Sequence, residues 1–369
     1  EVWCVSVIVK RESGSMPYLR PRMTLLPRMF PLAAPVLRRL LGPTTPDIEV
    51  LQPAETESVT PPACLPGMLN RPNATVQGND LSYYMDVAIE RSVTHVPALR
   101  KTYRNAIVRR KGFATLRANE RYGDGFGMGE LLGPITEVPT LRYCYSDVIA
   151  LYFGHWLTDG IPQALIDPDK GVLWMPPILG SSHSPDYLDA LDLKLAAGPV
   201  LHAKEMIAYQ DFGQGSHKRQ RYEVIHQRLL ARYGNADPSS CVYIKRGSTG
   251  VARSIVNEDA LIASLVARNW QILDIATASV ADMQRVLLNA SVVVSIEGSQ
   301  LDHAILAMPK GTAMVILVPQ DRFLLRFVGL CRARGIQPGF VVVEGKLETG
   351  YHADIDEILR TVDLAFALP

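Results

Sequence analysis

The chain has 369 residues, enough for two ordinary domains and a sizeable core. Its net charge of +1 and its 20% of charged residues fit a soluble globular protein and give no electrostatic case for nucleic acid. The five cysteines are dispersed without a CxxC, which argues against a disulfide framework or a structural zinc site and fits a reducing compartment, and no uninterrupted apolar run is long enough to span a bilayer.

Residues 17–72 hold 12 of the 26 prolines, so residues 1–79 are expected to be an extended, Pro-rich region. Within it "RPRMTLLPRMFPLAAPVLRRLL" carries Arg20, Arg22, Arg28, Arg38 and Arg39 and no acid. That allows peripheral contact with an anionic membrane, but the prolines break any amphipathic face and favour a docked arm. From residue 80 the pattern becomes regular. "NAIVRR" and "GVLWMP" read as strands, and "SPDYLDALDL" as a helix starting at Ser184 and Pro185. "HKRQRYEVIHQRLLARYG" reads as a helix ended by Gly234, with "HKRQR" as a solvated face. A domain boundary is placed near residue 215. Beyond it, "CVYIKR", "WQILDI", "SVVVSIE", "AMVILV" and "GFVVV" are strands alternating with helices. β-Branched runs alternating with helices predict a parallel sheet covered on both faces, a Rossmann-like domain over 216–369 after an α/β domain over 80–215.

In open parallel sheets, ligands bind beyond the carboxyl ends of the strands. "VYIKRGSTGVAR" places Lys245 and Arg246 at such an end, followed by Gly247, Gly250 and Arg253. Guanidinium forks around a flexible loop suit a diphosphate; a solvated basic loop explains the stretch equally well. "SIEGSQLDHA" follows another strand. There Gly298 lets backbone approach a ligand, the amides at Ser299 open a helix suited to an anion, and Glu297 is placed to accept from sugar hydroxyls. His303 reads better as a satisfied helix histidine. Asn257 as a helix N-cap, with Glu258 in the first turn, is explained by capping. "YFGHWLTDGIPQAL" puts His155 and Asp159 four residues apart, on one helical face. Either Asp159 orients His155 as a base, or Asp159 is the base and His155 a substrate contact. "DPD" at Asp167–Asp169 is a turn rather than a metal pair, and the glycine-rich "YGDGFGMG" is a loop.

In this order, "YFGHWLTDGIPQAL", "VYIKRGSTGVARSIVNEDAL", "SVADMQRVLLNASVVVSIEGSQLDHAIL" and "GTAMVILVP" resemble glycosyltransferase family 61. Matching positions are His155, Trp156, Asp159 and Pro162; Arg246, Arg253, Asn257 and Glu258; Gln284; and Gly298 with Leu301. The chain departs at Glu297, where many relatives have histidine, and at Ser299 and His303. The resemblance implies a GT-B-like α/β fold, with two Rossmann-like domains facing a cleft. It implies transfer with inversion and without metal or separate cofactor, from a nucleotide sugar, taken as UDP-linked. The acceptor is a glycan or lipid-linked glycan of surface polysaccharide synthesis, such as capsule or exopolysaccharide. The donor-side residues are then Lys245, Arg246, Arg253, Asn257, Glu258, Glu297, Gly298, Ser299 and His303, and the catalytic ones Asp159 and His155. The location expected is the cytoplasm, at the inner face of a membrane for a lipid-linked acceptor. The alternative is a non-catalytic nucleotide- or glycan-binding module on the same fold. An NAD(P) enzyme is disfavoured because no glycine fingerprint with a following acidic residue occurs.

Overall fold

The computed structural model describes residues 46–76, 80–109, 112–115, 119–121, 134–176, 178, 182–234, 237–246 and 253–368. Most of the Pro-rich region, with its basic segment, lies outside the described residues, as do the "YGDGFGMG" loop and Gly247 and Gly250. The strands in chain order are β1 (Asp47–Gln52), β2 (Glu55–Ser58), β3 (Ser92–His95), β4 (Ala98–Arg109), β5 (Gly112–Ala114), β6 (Asn119–Arg121), β7 (Ile135–Tyr143), β8 (Val172–Trp174) and β9 (Val200–Gln210). They continue as β10 (Ser240–Lys245), β11 (Gln271–Asp274), β12 (Ala290–Ile296), β13 (Ala313–Pro319), β14 (Gln337–Lys346) and β15 (Gly350–His352).

The chain divides into two compact units. Among the described residues, the smaller comprises those within 105–139 and 197–204. Its strand pairs are antiparallel, the end of β4 with β5 and β5 with β6, and Ile107, Ile135 and Val200 form a buried cluster. The larger comprises residues 44–104, 140–196 and 205–369. Here β1 runs antiparallel to the start of β4, β2 antiparallel to β3, and β7 parallel to β8. The first half is thus mixed, with antiparallel pairs that the apolar alternation does not announce.

The larger unit holds the parallel sheet expected from the sequence. Its order is β11-β10-β12-β13-β14-β15, parallel from β11 to β14 and closed by the unforeseen antiparallel β15. Every residue of β13 is buried, as a strand covered on both faces requires. The helices of this unit are α1 (Leu81–Ile89), α2 (Asp147–Leu151), α3 (Phe153–His155), α4 (Ile161–Ala164), α5 (Ser184–Ala190), α6 (Ser216–Tyr233), α7 (Glu258–Val266), α8 (Val280–Leu287), α9 (Gln300–Ala307), α10 (Arg326–Arg334) and α11 (Ile355–Phe366). Side chains close several of their open amino ends: Ser146 on Ile149, Ser279 on Asp282, Asp354 on Asp356. Helix α9 is buried all round, and the buried Arg334 closes its other end by donating to the carbonyls of Ile305 and Met308.

One topological feature decides where a crevice opens on this sheet. From β10 the chain crosses to β11 on one side, then returns to β12 on the other. The order reverses between β10 and β12, and a crevice opens beyond their carboxyl ends at such a switch point. Lys245 ends β10 and Ile296 ends β12, so Arg246 and "EGSQ" follow the sheet there.

Candidate active site

The stretch Phe153–Ala164 is an interrupted helix. Between α3 and α4, Trp156–Gly160 forms a π-helical turn in which the Ile161 amide bonds back to the Trp156 carbonyl. Pro162 supplies the reason. It has no N–H to give the Thr158 carbonyl four residues back, so a regular helix fails at this point. The freed Thr158 carbonyl accepts from the buried Tyr222 hydroxyl instead, at 2.7 Å. Trp156, Leu157 and Ile161 enter the core, while His155 stays part-exposed and lines a cleft of about 1000 Å³ within the larger unit.

Asp159 is engaged on both oxygens. One is 2.7 Å from His155 Nδ1, and the other accepts from Lys218 Nζ, also at 2.7 Å. Burial alone would raise this carboxyl, but Lys218, His155 and Arg326 together hold it well below the usual carboxylate range. An ionised Asp159 accepting at Nδ1 puts the imidazole proton there and leaves Nε2 as the acceptor. Nε2 has no hydrogen-bond partner among the described residues. The sequence reading of "HKRQR" as solvated is corrected here. Lys218 and Arg221 are buried, because the part-buried Asp159 and the buried Asp211 carboxylates each demand a cation, Arg221 reaching Asp211 at 2.5 Å.

The switch-point crevice opens on the same cleft, whose lining includes Arg246, Arg253, Glu297, Gly298, Ser299 and Arg322. Arg246 donates to Gln300 Oε1 at 2.7 Å, and Arg253 to the Glu297 carbonyl at 2.6 Å. Arg253 and Arg322 both stand 3.3 Å from one carboxylate oxygen of the buried Glu297. Three guanidiniums around one carboxylate leave two net positive charges. Burial first, then the neighbouring arginines, pull Arg253 down to about 10 against the opposing pull of Glu297. Burial likewise lowers Arg246, with Arg322 adding to it. Such a cluster is relieved by an anion. Gly298 makes it possible, since a Cβ there would lie 1.8 Å from an Arg246 nitrogen and 2.9 Å from one of Arg253. The exposed Ser299 follows at the start of α9.

The remaining candidates from the sequence lie elsewhere. His303 is buried behind this wall, where the Tyr187 hydroxyl accepts from Gln284 at 2.7 Å and meets His303 Nδ1 at 2.6 Å. Burial pushes His303 down to about 3, so it is a neutral core histidine. Asn257 begins α7, but its side chain does not cap the helix. It bridges the amide and carbonyl of Ala353 at 3.0 and 2.7 Å. Glu258 accepts from Tyr243 at 2.8 Å, and neither it, Asn257, Lys245 nor His303 lines the cleft. Glu297 is occupied by Arg253 and Arg322. Asp167, of the "DPD" turn, is held by Arg100 at 2.6 Å.

Sequence reasoning missed a staple beside His155. Arg326 grips the fully buried Asp302 of α9 through two nitrogens, at 2.8 and 3.1 Å, and reaches Thr158 Oγ1 at 2.7 Å. Gly154 lets α3 close on that pair, because a Cβ at this position would meet an Asp302 oxygen at 2.1 Å. The glycine beside the catalytic-looking histidine was the available signal. Among the described residues no group of three or more His, Cys, Asp or Glu is arranged to hold a metal ion. No described helix is long and apolar enough to cross a membrane.

No curated protein matches the chain. Among solved structures, a mutant flavo di-iron protein from Thermotoga maritima is similar at 12% identity over 57% of this chain, with a TM-score of 0.25, too low for a shared fold. The chain spans half the length of that protein. The model of the family Glycosyltransferase 61 matches residues 153–315, from the turn carrying His155 through both walls of the switch-point crevice to β13. Over this span the chain is similar to glycosyltransferase family 61.

Proposed function

We propose that the protein transfers a sugar, with inversion and without a metal, from a nucleotide-diphosphate donor to a hydroxyl of a glycan or lipid-linked glycan. The observation that carries this reading is one cleft lined by both a net-cationic arginine cluster at the switch point and a histidine backed by an ionised aspartate. The family match agrees with it. A UDP-linked donor, the two-domain GT-B arrangement and a place in surface polysaccharide synthesis at the inner face of a membrane belong to the same proposal.

In the reaction, Nε2 of His155 takes the proton from the acceptor hydroxyl. The acceptor oxygen bonds to the anomeric carbon as the bond from that carbon to the diphosphate oxygen breaks on the opposite face. Asp159 stays ionised, holds Nδ1–H and balances the imidazolium as it forms. Arg246 and Arg253, joined by Arg322, neutralise the leaving diphosphate, the task a divalent cation performs elsewhere. Glu297 acts by holding the arginines together before the donor arrives. The exposed apolar side chains of Leu151, Tyr152, Phe212 and Val96, all lining the cleft, form the acceptor side.

Thermal-shift measurements with nucleoside diphosphates and their sugars, with and without EDTA, test the donor half. We expect stabilisation by one diphosphate series, unchanged by EDTA and abolished in Arg246→Ala, together with slow donor hydrolysis by the wild type. If no nucleotide sugar binds or is turned over, the reading is wrong.

A further inference from the structure

The proposed chemistry uses His155 and Asp159 but not the cation behind them. Lys218 lies in the first turn of α6 with 1% of its side chain exposed. Its ammonium donates to Asp159 Oδ1 at 2.7 Å and to the Asp211 carbonyl at 3.0 Å. The Asp211 carboxylate is taken by Arg221, so Asp159 is the carboxylate Lys218 serves. Lys218 also sits on the same helical face as Tyr222, Ile225 and Leu229, all buried. Replacing such an ion pair as a whole, Asp159 together with Lys218, by apolar packing is often neutral or stabilising, so stability alone gives little reason for the pair.

We propose that Lys218 is a positioning residue for sugar transfer: by binding the Asp159 oxygen that His155 does not use, it fixes the plane of the carboxylate and balances its charge, so that His155 meets the acceptor as a neutral base. The inference rests on the reading of His155 as that base. The other groups around the pair do not duplicate the role. Tyr222 on α6 donates to the Thr158 carbonyl, Arg326 and Asp302 bind each other, and the Tyr152 ring stands edge-on to His155 at 6.1 Å between centroids. Without Lys218, the charge of Asp159 acts on His155 undivided, and the ring holds a proton up to higher pH.

The test is the pH–rate profile of Lys218→Met, beside Lys218→Arg and the double variant Lys218→Met/Asp159→Asn. In Lys218→Met the acidic limb should move up by about one pH unit, with about tenfold slower transfer near neutrality and an unchanged thermal shift by the nucleotide. Lys218→Arg, which keeps the charge, should keep the limb in place. The double variant, which removes both charges, should return the limb towards its wild-type position at a reduced plateau. The pH at which the His155 ring nitrogen NMR signals change should follow the same pattern without any sugar present. A uniform loss of rate at every pH with unmoved ring signals would mean that Lys218 is merely structural. Moved ring signals in a wild type that transfers no sugar would leave the electrostatic link intact and sink the functional reading instead.

Discussion

His155 and Asp159 stand four residues apart, and in the proposed transfer either could move the acceptor proton. The sequence leaves both candidates open, and the hydrogen bonds favour His155, because Asp159 has a partner on each oxygen and burial has not kept it neutral. His155→Ala should then lower kcat by about 10²–10⁴-fold, the range of a general base, with the nucleotide thermal shift retained. Asp159→Asn should fall in between, since the amide still accepts from Nδ1–H but no longer balances the imidazolium. Equal and full activity in both variants, measured by product formation, would move the base elsewhere. The arginines make the complementary point: Arg246 and Arg253 were legible as charges at a strand end, whereas the recruitment of Arg322 and the burial of Glu297 among them depend on side chains brought together by the fold.

At the scale of elements, Gly154 is the most exposed to a test. Its α-hydrogen faces an Asp302 carboxylate that Arg326 holds from two sides, so an added methyl has no room and its neighbour cannot step aside. Gly154→Ala should cost about 2–4 kcal/mol, read as a melting point lower by several degrees. Gly329→Ala is the control: it lies within α10 with nothing near its added methyl, and should be neutral or slightly stabilising. The parallel strands were readable because each is a short β-branched run, and their helices because the runs stop at capping residues. The antiparallel pairs of β4, β5 and β6 were not, since hairpins of three residues leave almost no period to read. Lys218 was misread for a different reason. "HKRQR" looks solvated by composition, yet the spacing of Lys218 to Tyr222, Ile225 and Leu229 is the stripe of a buried face, and periodicity was the better guide.

For the molecule as a whole, buried histidines set the response to acid. His303 is pushed from its ordinary 6.5 down to about 3, chiefly by burial, and His183 and His226 are lowered in the same sense. Between those two values the unfolded chain binds a proton that the folded chain refuses, so stability rises with pH and is lost on acidification through this window. For His303 the slope is about 1.4 kcal/mol per pH unit. Asp159 adds a loss of the same sign only below the ordinary carboxylate range, where its counter-ions hold it ionised in the folded state. The urea midpoint should therefore be lower at pH 5 than at pH 7 in the wild type, and this difference should shrink in His303→Gln. An identical slope in the two proteins would show that this ring does not govern the effect.

The missing N–H of Pro162 reaches further than local geometry. A bulge that could anneal into an even spiral would let the histidine drift around the helix axis whenever the cleft was empty. Here covalent structure forbids that escape, and Tyr222 occupies the carbonyl that would reclaim it. In the proposed reaction the proton acceptor thus stands ready before any sugar arrives, and no binding energy has to be spent on assembling it.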